Sequence, residues 1–232
     1  MRPLFRDRPT PRSSPARSGR RLAVIACWLL IAPGAVPAAE LVMRDLQADA
    51  TVRPTAFDFT LDTPTFTRTG SDSFDAGTGL ELGGRYSLSR VGDAFGLVIG
   101  LDAATEAYSY DSQDFMVTYG GRGSLGLGYA LNDDWTLTGE IGLSYGRTKL
   151  SLPATSTAPS FDAHGSYRGG DVRLTCLYTI LRRMLISGDV GYLSVTHDLT
   201  TNLNDKLTLK QRGLYVGIGM TWRFSNAPER VE

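Results

Sequence analysis

Cysteine is scarce in this chain of 232 residues, with only Cys27 and Cys176 present. If an N-terminal export segment is removed, Cys176 stands alone, which excludes an intramolecular disulfide framework as the source of stability. A membrane-spanning helix is also missing. The apolar run "LAVIACWLLIA", Leu22 to Ala32, is eleven residues long and is followed by Pro33 and Pro37. A helix crossing a bilayer of roughly 30 Å needs about 20 residues. Metal-ligand clusters, phosphate loops and nucleophile motifs do not rise above background, so no catalytic, metal or cofactor site is expected.

A basic excess is absent too. The formal charge is zero, but residues 1–39 hold seven arginines and one aspartate, which leaves 17 basic against 23 acidic residues in the remainder. That acidic balance argues against a nucleic-acid partner. The same N-terminal residues read as a secretory signal: arginines, the short apolar run, then "PGAVPAAE", with small residues suited to cleavage after Ala38 or Ala39. The sequence after Arg20 and Arg21 fits twin-arginine export poorly, and Cys27 sits inside the apolar run rather than at the end of a lipoprotein box.

What the chain does have is glycine, tyrosine and alternation. The 26 glycines and 10 tyrosines against a 21% charged fraction lean toward a β-rich class. In "GLYVGIGMTWRF", residues 213–224, Leu214, Val216, Ile218, Met220, Trp222 and Phe224 share one face of an extended strand. Gly213, Tyr215, Gly217, Gly219, Thr221 and Arg223 share the other. Eight such segments are expected, around 55–67, 74–90, 95–110, 115–131, 135–150, 165–180, 184–198 and 207–224, and none reads as a helix.

Their connections alternate in character. "RVGDA", "NDD" and "LRR" read as tight turns, while "TGSDSFD", "SLPATSTAPSFDAH" and "TTNLND" are longer and polar. That alternation predicts an all-β, eight-stranded antiparallel up-and-down barrel. The expected organisation is a signal peptide at 1–39, a short periplasmic lead-in at 40–54, the barrel at 55–224 and a tail at 225–232.

The more apolar faces, from Phe57–Leu61 in the first segment to Leu214–Phe224 in the last, carry no charge. The opposite faces hold Asp58, Glu81, Arg85, Asp102, Arg122, Glu140, Arg173, Asp189 and Arg223 beside many glycines. A soluble barrel or sandwich shows the same alternation, so the aromatic residues must discriminate. Tyr119 and Tyr129 share a face ten residues apart, as do Trp135 and Tyr145. Ten tilted steps climb roughly 25 Å, the spacing of the two aromatic girdles of a transmembrane barrel. Glu81, Arg85, Asp102, Arg122, Glu140, Arg173 and Asp189 then form an interior polar network, because eight strands leave room for side chains but not for a wide pore.

On these grounds the chain resembles the small outer-membrane barrels of the OmpA and OmpX type in Gram-negative bacteria. The resemblance covers residues 55–224 and the signal. It is most specific at "GMTWRF", where Gly219, Trp222 and Phe224 stand like the C-terminal signal read by the outer-membrane assembly machinery, although "SNAPERVE" follows here. It implies residence in the outer membrane, contact with its lipid and lipopolysaccharide, and a structural or surface-interaction role through external loops. With no second domain after the barrel, no cell-wall anchoring role carries over.

Two other functions are open, a narrow ion pore and a lipid A-modifying enzyme of the kind that places His, Ser and Glu at the lipid boundary. For the latter, His197 in "SVTHDLT" has no suitably spaced serine, only Asp198 and Thr200, and His197 and His164 are both read as exposed loop histidines. The loop 151–164 is expected to be exposed and mobile, with Tyr108 and Tyr110 as upper-girdle residues or a contact patch.

Overall fold

The computed structural model describes residues 42–88, 95–110, 114–152 and 160–224. The expected signal at 1–39, the tail at 225–232, the turn "RVGDA" at 90–94 and the side chain of Tyr110 lie outside the described residues. Alternating patterns give ten strands: β1 (Val42–Val52), β2 (Ala56–Asp62), β3 (Thr67–Ser73), β4 (Ala76–Leu88), β5 (Phe95–Tyr110), β6 (Asp114–Ala130), β7 (Trp135–Leu152), β8 (Phe161–Leu181), β9 (Met184–Thr201) and β10 (Lys206–Arg223). Eight of them, β1 and β4 to β10, pair antiparallel in a ring that closes where β1 meets β10, from Asp45↔Arg223 to Val52↔Val216. Closure gives each of these strands two partners for its backbone, which hydrocarbon demands of any spanning sheet.

The ring begins earlier than the sequence reading has it. Residues 40–54 are expected to be a lead-in, but β1 is a complete barrel strand, with Asp45, Gln47, Asp49 and Thr51 buried and Leu46, Ala48, Ala50 and Val52 turned outward. Small alanines in place of large apolar residues hide its alternation. Past Pro54 the chain continues as β2, which pairs with the upper part of β10, Lys206 to Gln211, while β1 pairs with the lower part. Gly213 sits at this change of partner, where an added Cβ would lie 2.8 Å from the Pro54 ring.

The expected loop "TGSDSFD" is mostly strand, since Thr67–Ser73 forms β3 and pairs along β2. The true turn is Thr63 to Phe66, closed by the Thr63 N–H donating to the Phe66 carbonyl at 2.9 Å. The β2–β3 hairpin therefore rises beyond the ring. At the opposite end the turns are tight. The Asn132 side chain accepts from the backbone N–H of Asp134 and Trp135, and Arg182 and Arg183 alone separate β8 from β9. The long loop is shorter than expected, as β7 runs to Leu152 and β8 starts at Phe161; residues 153–159 lie outside the described residues.

The outer surface is apolar through the middle of the ring. Leu214, Val216, Ile218 and Met220 on β10, Ile141 and Leu143 on β7, and Val172 and Leu174 on β8 are all exposed. Below them, toward the tight turns, lie Phe95 stacked on Tyr129 at 4.5 Å, Trp135 beside Tyr178 at 4.6 Å, and Trp222 with Phe224. Above them lie Tyr119, Tyr145 and Tyr192. Among the described residues no charged side chain points outward between these two rings. Tyr129 and Trp135 lie at the lower of these two levels, and Tyr119 and Tyr145 at the upper. No described helix is long and apolar enough to cross a membrane.

The seam tests the closure directly. A Cβ on the inward-facing Gly219 would meet the Asp49 carboxylate at 1.9 Å and the Ala48 carbonyl oxygen at 2.4 Å, whereas one on the outward Gly139 meets nothing within 4 Å. Gly219→Val is expected to abolish the unboiled gel-mobility shift after refolding into detergent micelles, and Gly139→Val to leave it intact. Equal behaviour of the two variants would contradict the seam.

Candidate functional site

The parity of every strand of the ring sends one set of side chains inward, and in the lower half of the ring these are charged. Arg122 on β6 makes a two-point contact with Asp171 on β8, Nε and Nη2 each donating at 2.9 Å. Its Nη1 reaches Asp102 on β5 at 3.2 Å and Glu140 on β7 at 3.1 Å. Arg85 on β4 meets the same two carboxylates, Asp102 at 2.5 Å and Glu140 at 3.0 Å, and Ser124 donates to Glu140.

A second group lies alongside. Arg173 on β8 pairs with Glu81 on β4 at 2.5 Å, Glu81 also pairs with Arg53, and Arg53 reaches Glu106 on β5 at 3.2 Å. Tyr215 on β10 joins the two groups, because its hydroxyl accepts from Arg173 at 2.9 Å and donates to Asp171 at 3.0 Å. The Arg53 guanidinium lies 4.6 Å from the centre of the same ring, a cation–π contact. Arg173 also lies 3.9 Å from Asp49 on β1, so that four arginines and six carboxylates are linked across the lumen.

Of the residues singled out from the sequence, Glu81, Arg85, Asp102, Arg122, Glu140 and Arg173 are brought together. Asp189 is buried nearby but bonds Thr175 at 2.5 Å, and among the described residues no arginine lies within ion-pair distance of it. Arg53, Glu106 and Asp171 were missed. Glu106 continues the inward parity of Asp102 and Asp171 that of Arg173, so extending those alternations by a few residues would have found them, whereas Arg53 continues β1, the strand that the sequence reading left out. Arg223, expected inside, is half-buried and pairs with Asp45 at 3.1 Å.

Above this network the lumen changes character. Phe57, Phe59, Tyr108, Met116, Leu150, Ala163, Leu199, Leu207 and Leu209 form one buried cluster, flanked by Leu61, Phe74, Leu152 and Phe161. Phe57 packs edge-on against Phe74 and Tyr108 at 5.2 and 5.4 Å between ring centres. The expectation that Phe57–Leu61 faces lipid is therefore corrected: Phe57 and Phe59 point into the lumen and Asp58 points out. These strands have passed the belt and have water outside, so burial of apolar surface drives the large side chains inward.

Tyr108 is likewise a buried plug residue and not a girdle or contact-patch residue. Its hydroxyl donates to Glu106 at 2.7 Å and accepts from Gln211 at 2.8 Å, tying plug to network. His197, expected in an exposed loop, is fully buried on β9, with Nδ1 hydrogen-bonded to Thr148 at 2.9 Å and its ring beside Phe57 and Tyr167. His164 is exposed, but on β8 opposite Lys149. Trp222 and Phe224 are exposed at the lower ring, whereas Gly219 faces the lumen.

A closed ring of eight antiparallel strands with an apolar exterior and a charged interior defines an up-and-down transmembrane β-barrel, of the class to which the OmpA and OmpX barrels belong. No protein-family model and no curated protein matches the chain. Among solved structures it is similar to Neisserial surface protein A, with 13% identity over 80% of this chain and 99% of that one and a TM-score of 0.49. It is also similar to the outer membrane protein OprG of Pseudomonas aeruginosa, at 15% identity over 81% and 99% with a TM-score of 0.45. For Ail, the attachment invasion locus protein of Yersinia pestis, the identity is 11% over 79% and 100%, with a TM-score of 0.41. At such identities the likeness concerns the fold, and the closed ladder and apolar belt define that fold without it.

Arg122 faces three carboxylates, and its removal would leave them buried without their cation. Arg122→Ala is expected to lower stability by about 3–5 kcal/mol. Asp171→Asn, which keeps an acceptor for Tyr215, is expected to cost less. Urea unfolding in micelles, followed by tryptophan fluorescence, measures both; equal stability of Arg122→Ala and the parent would show that the network is not a structural element.

Proposed function

We propose that this protein is an outer-membrane barrel exported through the periplasm and inserted by the outer-membrane assembly machinery, with lipid and lipopolysaccharide around its belt. In this reading it is not an enzyme and not a pore, and it serves the bacterial envelope as a structural or surface-interaction protein through its external end. The observation that carries the reading is the double closure of the lumen. A conducting path would have to pass a cross-linked set of buried ion pairs and then an aromatic plug, and an eight-stranded ring has no width to spare for either.

Among the described residues the interior offers no catalytic arrangement open to substrate. The buried His197 has Thr148, Gln211 and aromatic rings around it, not a nucleophile and an acid open to lipid. Among the described residues, the β2–β3 hairpin and the strand ends that rise beyond the belt are accessible at the external end. Gly219, Trp222 and Phe224 are taken to carry the assembly signal, two through exposed aromatics and one through the seam.

Three measurements bear on this proposal. In purified outer membranes the unboiled protein should migrate apart from the boiled form of about mature mass, and recovery as a soluble protein without that shift would sink the membrane assignment. In planar bilayers the parent protein should give no discrete conductance, and Arg122→Ala should stay silent because the plug remains. Channel events in the parent that vanish on altering Arg122 or Glu140 would establish the ion pore instead. The mass spectrum of lipid A should be the same with and without the protein; a protein-dependent change would restore the enzyme reading.

A further inference from the structure

Toward the hairpin end the strands keep their inward and outward parity, and among the described residues at and just above the upper tyrosine ring the outward charges gather on the wall formed by β7 to β10. Arg147 and Lys149 on β7, Arg168 on β8 and Arg212 on β10 all point outward and are exposed. Arg147 follows Tyr145 by two residues, and Arg168 stands directly across the ladder from Tyr145. Arg212 precedes Leu214 by two and pairs with Ser194, itself two residues past Tyr192. Two strand steps at barrel tilt climb about 5 Å. This arc therefore begins at the upper tyrosine ring with Arg168, continues one step higher with Arg147 and Arg212 and ends two steps higher with Lys149, rising through the headgroup layer, which is roughly 5–7 Å deep on each side of the hydrocarbon.

The charge in the arc is mostly uncompensated. Asp198 pairs with Arg168 at 3.5 Å, with both side chains largely exposed. Among the described residues Arg147, Lys149 and Arg212 have no carboxylate within ion-pair distance. Lys210 is left out of the arc because Asp58 faces it across the ladder. On the far side of the barrel the same levels are occupied by Thr78 on β4, Thr105 and Ala107 on β5, and Val117 on β6, and none carries charge. A barrel selected only for solubility of its protruding end would have no reason to gather three arginines and a lysine just above the belt on one wall.

We propose that Arg147, Lys149, Arg168 and Arg212 form a binding site for the phosphate groups of a phosphorylated glycolipid in the leaflet at the hairpin end, with its acyl chains lying along the belt below. Guanidinium groups hold phosphate oxygens in pairs, and their fixed planar donors suit a rigid strand surface. The depth of the arc selects a lipid over a free polyanion. A lipid phosphate is delivered to this level by its own acyl chains, whereas a soluble anion must find an arc that lies beside the bilayer surface. The inference rests on the membrane reading proposed above and gives the glycolipid contact of that reading its residues and the chemical group they hold.

The test uses the full folded barrel in micelles and native mass spectrometry, with bis-phosphorylated lipid A, its dephosphorylated form, and inorganic pyrophosphate as probes. The parent should retain bis-phosphorylated lipid A at least about tenfold more tightly than the dephosphorylated form, and bind pyrophosphate weakly. The variant R147S/K149S/R168S/R212S should lose that preference while keeping its heat-dependent gel shift. A control variant, R182A/R183A, removes two charges at the tight-turn end and should keep it. Equal retention of both lipid forms, pyrophosphate binding as tight as the lipid, or an equal loss in the control variant would each overturn the site. If the combined variant lost its gel shift, the single changes K149S and R212S would be read instead, and a full preference in both would count against the arc. A parent that failed to enter micelles or vesicles at all would instead remove the membrane reading beneath it.

Discussion

The constraint on which the rest of this structure depends is a change of solvent along strands whose geometry does not change. A strand of the ring sends alternate side chains inward from end to end, and on β10 every odd residue from Leu207 to Arg223 faces the lumen. Through the belt hydrocarbon lies outside, so Leu214 to Trp222 present their apolar residues outward and Tyr215, Gly217 and Thr221 turn in. Above Gly213 water lies outside. There Lys206, Lys210 and Arg212 point outward, and Leu207 and Leu209 turn in. The same exchange occurs on β7 and β9, and it marks the membrane surface on the protein itself.

The two interiors follow from that exchange. Within the belt polar groups have only the lumen to occupy, and unpaired charges there are costly, so arginines and carboxylates must come in matched numbers with good geometry. Arg122 satisfies three carboxylates from three different strands, and Tyr215 couples the group around Arg122 to the group around Arg173. Glycines such as Gly142 make the room: a Cβ there would collide with the Arg122 guanidinium at 2.5 Å. Above the belt the economics of burial are those of a soluble core, and Phe57, Phe59, Met116 and Leu207 pack as they would in one.

This explains which parts of the protein were legible in the sequence. Period-two alternation is visible whatever the solvent, so the strand class, the up-and-down order and most of the inward-facing charges could be read directly. The direction of each face could not be read by the same rule throughout. "AFDFTLD" has the alternation of a belt strand, but it lies above the belt, so its large residues point inward; the rule that placed Leu214 correctly misplaced Phe57. "DLQADATVR" failed for another reason, since its outward face is built from small alanines that do not stand out as apolar. Cross-strand partners such as Arg53 with Glu81 depend on the closure of the ring and leave no trace in local pattern.

Function follows from what the two interiors leave over. Among the described residues the lumen is filled first by ion pairs and then by aromatic rings, and the function proposed above therefore looks to the outer surface. There the belt is uniform and the collar above it is not. The collar differs from an external loop in one physical respect: its side chains project from paired strands, so their spacing is set by the ladder and little ordering entropy is spent when they engage a partner. A basic arc held in that way, at a fixed depth and on one wall, is organised before any ligand arrives. Strands β7 to β10 hold their side chains in place through pairing, which supports placing the proposed recognition on the walls.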